Sequence, residues 1–305
     1  GGTFGGVNPL GNAELLSMLT LDPADPDAVV APTGTSQTLQ WTFDSGSEAL
    51  DFLAAGETLL LDYTVRVEDS NGQTGSASVQ ITITGSNDAP VLSADAGAGD
   101  SDLAALTEKG GALQTSGSLT VTDDDLSDDF IAQASLTSVS DSLSGTAPFT
   151  AGELGLASML TLDTSNGLVW RFDSAVGGAD DAFAFLPDGQ TLTLEYTVSV
   201  TDTAVAGSAG AIADQTVTVT ITGTDSDPVI GGEQALVVTE DLAETARGEV
   251  TVEDPDAAES SFNATREAGL YGTLTLSADG QWGYALDGDT LLVRPGERIA
   301  VDGEV

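Results

Sequence analysis

The chain has no cysteine and no histidine in 305 residues, and only 7 basic side chains against 49 acidic ones. Without cysteine there is no disulfide and no thiolate nucleophile. Without histidine there is no Ser-His or Cys-His catalysis and no ordinary zinc, copper or haem site. A formal net charge of −42 leaves no Lys/Arg footprint for phosphates, which excludes a nucleic-acid partner and disfavours anionic membrane surfaces. No apolar run approaches the roughly 18–20 residues that cross a bilayer, so no membrane insertion is expected. Aromatics make up only 5%, which implies thin cores of Val, Ile and Leu. The chain opens Gly1-Gly2 without an initiator Met, a basic leader or an apolar leader, and reads as a segment of a longer polypeptide. The remaining options involve oxygen chemistry, on a chain whose 40% hydrophobic content is enough to fold.

An internal repeat organises the sequence. Ser17-Met18-Leu19-Thr20-Leu21-Asp22 returns as Ser158-Met159-Leu160-Thr161-Leu162-Asp163, and Trp41-Thr42-Phe43-Asp44-Ser45 returns as Trp170-Arg171-Phe172-Asp173-Ser174. Further along, Leu61-Asp62-Tyr63-Thr64-Val65 matches Leu194-Glu195-Tyr196-Thr197-Val198, and Gly85-Ser86-Asn87-Asp88-Ala89-Pro90-Val91 matches Gly223-Thr224-Asp225-Ser226-Asp227-Pro228-Val229. The offset runs from 129 residues at the tryptophans to 141 at Ser17 and Ser158, so loops differ while strands keep register. A third copy begins near Thr239-Glu240 and continues through Tyr271-Gly272-Thr273-Leu274 to Gln281-Trp282. The repeat divides the chain into residues 1–92, lacking an opening segment, a complete unit over 93–230, and residues 231–305, lacking closing strands.

Period-2 alternation marks the strands. Leu59, Leu61, Tyr63, Val65 and Val67 alternate with Leu60, Asp62, Thr64, Arg66 and Glu68, and Leu192, Leu194, Tyr196, Val198 and Val200 alternate with Thr193, Glu195, Thr197 and Ser199. Short alternating strands between Gly, Asn and Asp turns, with no sustained helical period, predict an all-β antiparallel sandwich. Short helical turns are expected only near residues 49–54 and 180–185. Trp41, Trp170 and Trp282 recur at one position of the repeat and are expected to be core anchors.

The acidic residues concentrate where one unit meets the next. The first junction gathers Asn87, Asp88, Glu108, Asp123, Asp124 and Asp125, followed by Asp128 and Asp129; the second gathers Asp225, Asp227, Glu240, Asp241, Glu253, Asp254 and Asp256. Carboxylates a few ångströms apart repel by about 1 kcal/mol per pair at 4 Å even in water. A hard divalent cation reverses that sign, and Ca²⁺ takes six to eight oxygen ligands. The candidate metal ligands are Asn87, Asp88, Glu108, Asp123, Asp125, Asp225, Asp227, Glu240, Asp254 and Asp256. The competing reading is a set of solvated turns, because Asp and Asn favour turns for backbone reasons; turn propensity does not explain why both junctions carry the same order of groups. The acids at Asp22, Asp25, Asp27, Asp180 and Asp181 read as solvated loops. A two-carboxylate glycosidase is the hydrolytic chemistry left open, but with 49 acids some pair always looks suitable, and the chain is expected not to be an enzyme.

The motifs Gly85 to Val91, Thr107-Glu108, Leu119-Thr120-Val121-Thr122-Asp123-Asp124-Asp125 and Tyr271 to Trp282 together resemble the VCBS and cadherin-like repeats of giant bacterial RTX adhesins exported by type I secretion. The resemblance implies tandem immunoglobulin-like sandwich domains in an elongated array, Ca²⁺ between domains and a place at the bacterial cell surface. Its implied role is that of an extender in adhesion and biofilm formation, with neighbouring repeats of the same protein as partners. Two departures stand out: the second junction reads Asp225-Ser226-Asp227-Pro228 where the family has Asn-Asp-Ala-Pro, and the middle copy is longer than the usual repeat. The alternative reading is a subunit of an extracellular filament or surface layer, joined head-to-tail with other copies by strand complementation.

Overall fold

The computed structural model describes residues 4–22, 38–46, 50–69, 71–143, 150–176, 181–203, 210–238 and 245–287. Glu240 and Asp241, together with Asp25, Asp27 and Asp180, lie outside the described residues.

In the first unit, helix α1 (Asn12–Ser17) leads into β1 (Leu19–Asp22), which pairs antiparallel with β2 (Gln40–Phe43). A long hairpin follows, β3 (Thr58–Glu68) with β4 (Thr74–Thr84). The middle unit holds β5 (Val91–Ser93), β6 (Leu103–Thr107), β7 (Gln114–Thr122), β8 (Phe130–Asp141), β9 (Leu160–Asp163), β10 (Leu168–Asp173), β11 (Thr191–Asp202) and β12 (Ile212–Thr222). These form two four-stranded sheets, ordered β5-β7-β10-β9 and β6-β12-β11-β8. The third unit carries β13 (Val229–Gly232), β14 (Thr245–Glu253), β15 (Thr265–Ala268), β16 (Gly272–Leu276) and β17 (Gln281–Leu286), in one sheet ordered β13-β14-β17-β16-β15.

The middle unit has the strand order of an immunoglobulin-like sandwich, in which the first, second, fifth and fourth strands form one sheet and the third, sixth and seventh the other. Its opening strand is divided between the sheets: β5 pairs with β7, and then β6 crosses over to run parallel to β12. That pairing departs from the purely antiparallel expectation. Parallel partners need a long crossover, and the whole domain lies between β6 and β12.

Alternation decides which side chains face inward. Leu192, Leu194, Tyr196, Val198 and Val200 of β11 and Val217, Val219 and Ile221 of β12 are all fully buried. They close over Trp170, Phe172 and Phe183, and each fully buried aliphatic side chain contributes about 1.5–3 kcal/mol. The Tyr196 hydroxyl donates to Leu156 O at 2.7 Å, as Tyr63 does to Leu15 O in the first unit at the same distance. Helical structure falls on α1 and on a single turn at Leu156–Ser158. The segments expected to be helical form only turns where they are described.

Candidate metal centres

Each junction begins where the last strand of one unit releases the chain. Gly85 and Gly223 sit against the preceding turn so tightly that a Cβ would lie 2.1 Å from Leu53 O and Leu186 O respectively. Any other residue would push the linker outward, so glycine fixes its exit path at both sites. The loop after β7, and its counterpart after β14, meets this linker. Asp123 Oδ1 accepts the amide of Asp125 at 3.0 Å, and Asp254 Oδ1 accepts that of Asp256 at 2.9 Å. These short Asx turns aim the Asp125 and Asp256 carboxylates at the linker. Asp125 Oδ2 accepts the Asp88 amide at 2.8 Å, and Asp256 Oδ2 accepts the Ser226 amide at 2.7 Å. One residue on, Leu126 N–H donates to Phe52 O at 3.3 Å and Ala257 N–H to Phe185 O at 3.0 Å. Both joints are therefore built on one plan from equivalent residues.

The second oxygen of each of these carboxylates has no hydrogen-bond partner among the described residues. Asp125 and Asp256 are each 2% exposed, and their Oδ1 atoms are buried without a hydrogen bond. At the first joint Asn87 Oδ1 and Asp128 Oδ2 share that condition. At the second, ligand oxygens of Asp225, Asp256 and Glu259 all lie within 4.8 Å of one another. Asn87, Asp125 and Asp128 occupy the same positions in the first joint as Asp225, Asp256 and Glu259 in the second.

The electrostatics record the resulting repulsion. Burial pushes the Asp125 carboxyl up to about 6, aided by Asp88, Asp123 and Asp128 and opposed by the Asp88 amide. Asp88 is raised by burial and then by Asp51, Asp124 and Asp123, and Asp128 by burial and then by Asp202, Asp123 and Glu57. In the second joint burial raises Asp256, with Asp254, Asp225 and Glu108 adding to it against the Ser226 amide. Glu259 is raised by desolvation and by Asp256, Asp254, Asp225 and Asp188. Buried polar atoms are normally satisfied, and an orphaned carboxylate oxygen among other carboxylates is the environment a hard cation relieves. The residues present therefore fit a Ca²⁺ ion: Asn87, Asp125 and Asp128 would hold it in the first joint, and Asp225, Asp256 and Glu259 in the second. Such an ion would supply charge neutralisation and a link between units.

Glu108 belongs to the second joint rather than the first. The parallel pairing of β6 with β12 carries it to the far end of the middle unit, where its amide donates to Thr222 O at 2.8 Å. Thr224 Oγ1 contacts Glu108 O and Oε2, both at 3.0 Å, and the Gly110 amide donates to Oε1. Asp181, expected in a solvated loop, faces Glu108 there, and its carboxyl is raised by burial and by that neighbour. Asp123 and Asp254 serve each joint through their turns. Asp227 is exposed and engages no group among the described residues. Asp128, Glu259, Asp181 and Asp202 are not among the ligands expected from the sequence. Asp128 and Glu259 carried a signal, an acid three residues after the buried Asp in both copies. Asp202 carried none: it is 115 residues from Asn87, whose Nδ2 donates to its Oδ2 at 2.9 Å.

The fold and joints define a class: tandem immunoglobulin-like β-sandwich repeats with acid-lined joints. No family model matches the chain, and no curated protein matches it. Among solved structures it is similar to the crystal structure of Drosophila N-cadherin EC1-4, at 17% identity and a TM-score of 0.31, over 78% of this chain and 51% of that one. The chain thus spans about half the length of that structure, and a similarity this loose carries no argument about ligands or partners.

Proposed function

We propose that the chain is a set of calcium-stiffened extender repeats from a large bacterial cell-surface adhesin, working outside the cell and without catalysis. The observation that carries this reading is the equivalent buried oxygen of each joint, Asp125 Oδ1 and Asp256 Oδ1, which has no hydrogen bond among the described residues and lies in a loop held against the linker. A cation held there would tie the end of one sandwich to a loop of the next and replace a Pro-containing linker by a stiff joint. Sites of this kind in extracellular modules have dissociation constants of about 10⁻⁴–10⁻³ M, so millimolar calcium fills them and a calcium-poor cytoplasm leaves the polyanion free. The motifs of the linkers and of Tyr271 to Trp282 support the adhesin assignment. Charge remaining on the outer strand faces would keep neighbouring fibres apart.

The test is chelation. Calcium at a hundredfold over its dissociation constant stabilises by about 2.7 kcal/mol per site. Adding calcium to the EDTA-treated chain should therefore raise the melting temperature by several degrees and lengthen the particle in small-angle X-ray scattering, with magnesium far less effective. If both quantities stay unchanged, the reading is wrong.

A further inference from the structure

Among the described residues, the third unit contains a feature its sister units lack. Across its sheet, the register aligns Arg247 of β14, Gly283 of β17, Thr275 of β16 and Arg266 of β15 in one row. The alternating burial places this row on the face away from Trp282 and Tyr284, with both arginines exposed. Between them lies a hollow of about 410 Å³. Its lining includes Gly283, Thr273, Thr275, Ala285 and Gln281, with Leu276, Trp282 and Tyr284 also contributing, and Thr275 Oγ1 is fixed by its bond to Gly283 O at 3.1 Å.

Gly283 follows Trp282 directly. The residue at that position is Arg171 in the middle unit and Thr42 in the first. Arg171 fills the position and turns to Asp163 at 3.8 Å, whereas glycine leaves it open. Arg66 is likewise engaged, with Glu68 at 3.3 Å. Arg247 and Arg266 make no ion pair among the described residues, in a chain with 49 carboxylates available. Strand β15, which supplies Arg266, has no counterpart in the sheet order of the middle unit among the described residues.

We propose that this trough binds an acidic oligosaccharide, its carboxylates taken by Arg247 and Arg266 and its hydroxyls by the Thr and Gln side chains between them. Guanidinium groups pair with carboxylates through two parallel hydrogen bonds. The two α-carbons are three strand spacings apart, about 14 Å at roughly 4.8 Å each, so a single small anion cannot engage both unless the side chains lean far inward; an extended ligand with repeated charges can. A peptide fits less well, because backbone groups inside the sheet are already paired with neighbouring strands and leave no free edge along the trough for its main chain. Glu249, on the same face two residues from Arg247, would repel a further carboxylate and so limit the ligand at that end.

The experiment is a calorimetric titration of the full chain with tri-galacturonate, with neutral galactotriose and a Glu-rich hexapeptide as comparisons. The acidic sugar is expected to bind with a dissociation constant of about 1 mM or below, and the other two much more weakly. Arg247→Gln and Arg266→Gln should each weaken binding by about tenfold. Gly283→Thr, which installs the first unit's residue without adding charge, should weaken it by closing the trough. Circular dichroism would confirm that these surface variants remain folded. The proposal is overturned if the acidic sugar does not bind, or if galactotriose or the peptide binds equally well. It is also overturned if binding survives both arginine substitutions, as a calcium bridge to the acidic joints would.

Discussion

The tryptophan of the repeat is 1% exposed at Trp170 in the middle unit and 45% exposed at Trp41 in the first. Trp170 lies opposite Gly117 of β7, where a Cβ would come 2.6 Å from its ring, and its indole N–H donates to Ser101 O at 2.7 Å. Trp282 of the third unit repeats this arrangement with Gly248 and Glu233 O, yet it remains half-buried. Among the described residues, Trp41 has only β1 as a strand neighbour. The three cases separate two contributions. The neighbouring strand supplies the glycine slot, the segment after the unit's opening strand supplies the hydrogen-bond acceptor, and the second sheet supplies the burial. Alternation tells which face a residue takes, but a packed layer opposite decides how much that face is worth.

The largest expected effect tests this contrast. Trp170→Ala should destabilise the middle unit by about 3–5 kcal/mol, whereas Trp41→Ala should cost the first unit about 1 kcal/mol or less. Urea unfolding followed by circular dichroism would measure both, and equal losses would break the comparison.

A smaller effect sharpens the comparison of the joints. The Asp125 carboxyl is raised from 3.8 to about 6 in the folded chain, so between those values the native state holds a proton that the unfolded state has released. Stability in EDTA should therefore be greatest at the acid end of that window and fall as pH rises through it. Asp125→Asn should flatten this slope and raise the cation-free melting temperature at pH 7. It should not abolish the slope, since Asp88, Asp128 and Asp256 are also raised. Calcium should stabilise the wild type at pH 7 and lose its effect toward pH 4. A cation-free melting temperature that is flat from pH 4 to 7 would contradict the assignment.

The smallest effect concerns Asp227. Because it is exposed and unengaged among the described residues, Asp227→Ala should change stability by no more than about 0.5 kcal/mol and leave calcium uptake intact. By contrast, Asp256→Ala two residues into the facing loop should reduce uptake by one site, measured in the same titration.

Much of the fold was legible because its signals are local. The alternation at Leu192 to Val200 marked a strand whose one face is fully buried, and the repeated Gly85 to Val91 motif marked both linkers. Within the joints, Asn87, Asp125, Asp225 and Asp256 were legible because the two copies carry them in the same order. Asp128 and Glu259 could have been found by the same alignment, had the acid three residues further on been counted.

The sequence by itself determined the repeat, the strands, the inward faces and the acidity of the linkers, since each follows from residues a few positions apart. Only the tertiary structure decided which acids meet. Glu108 precedes the first joint's Asp123 by fifteen residues in sequence yet sits in the second joint, because β6 crosses to the other sheet and runs parallel to β12. Asp202 reaches Asn87, and Asp181 reaches Glu108, for the same kind of reason. Sequence spacing carries no information about which ends of distant strands a sandwich brings together; the pairing of sheets supplies it.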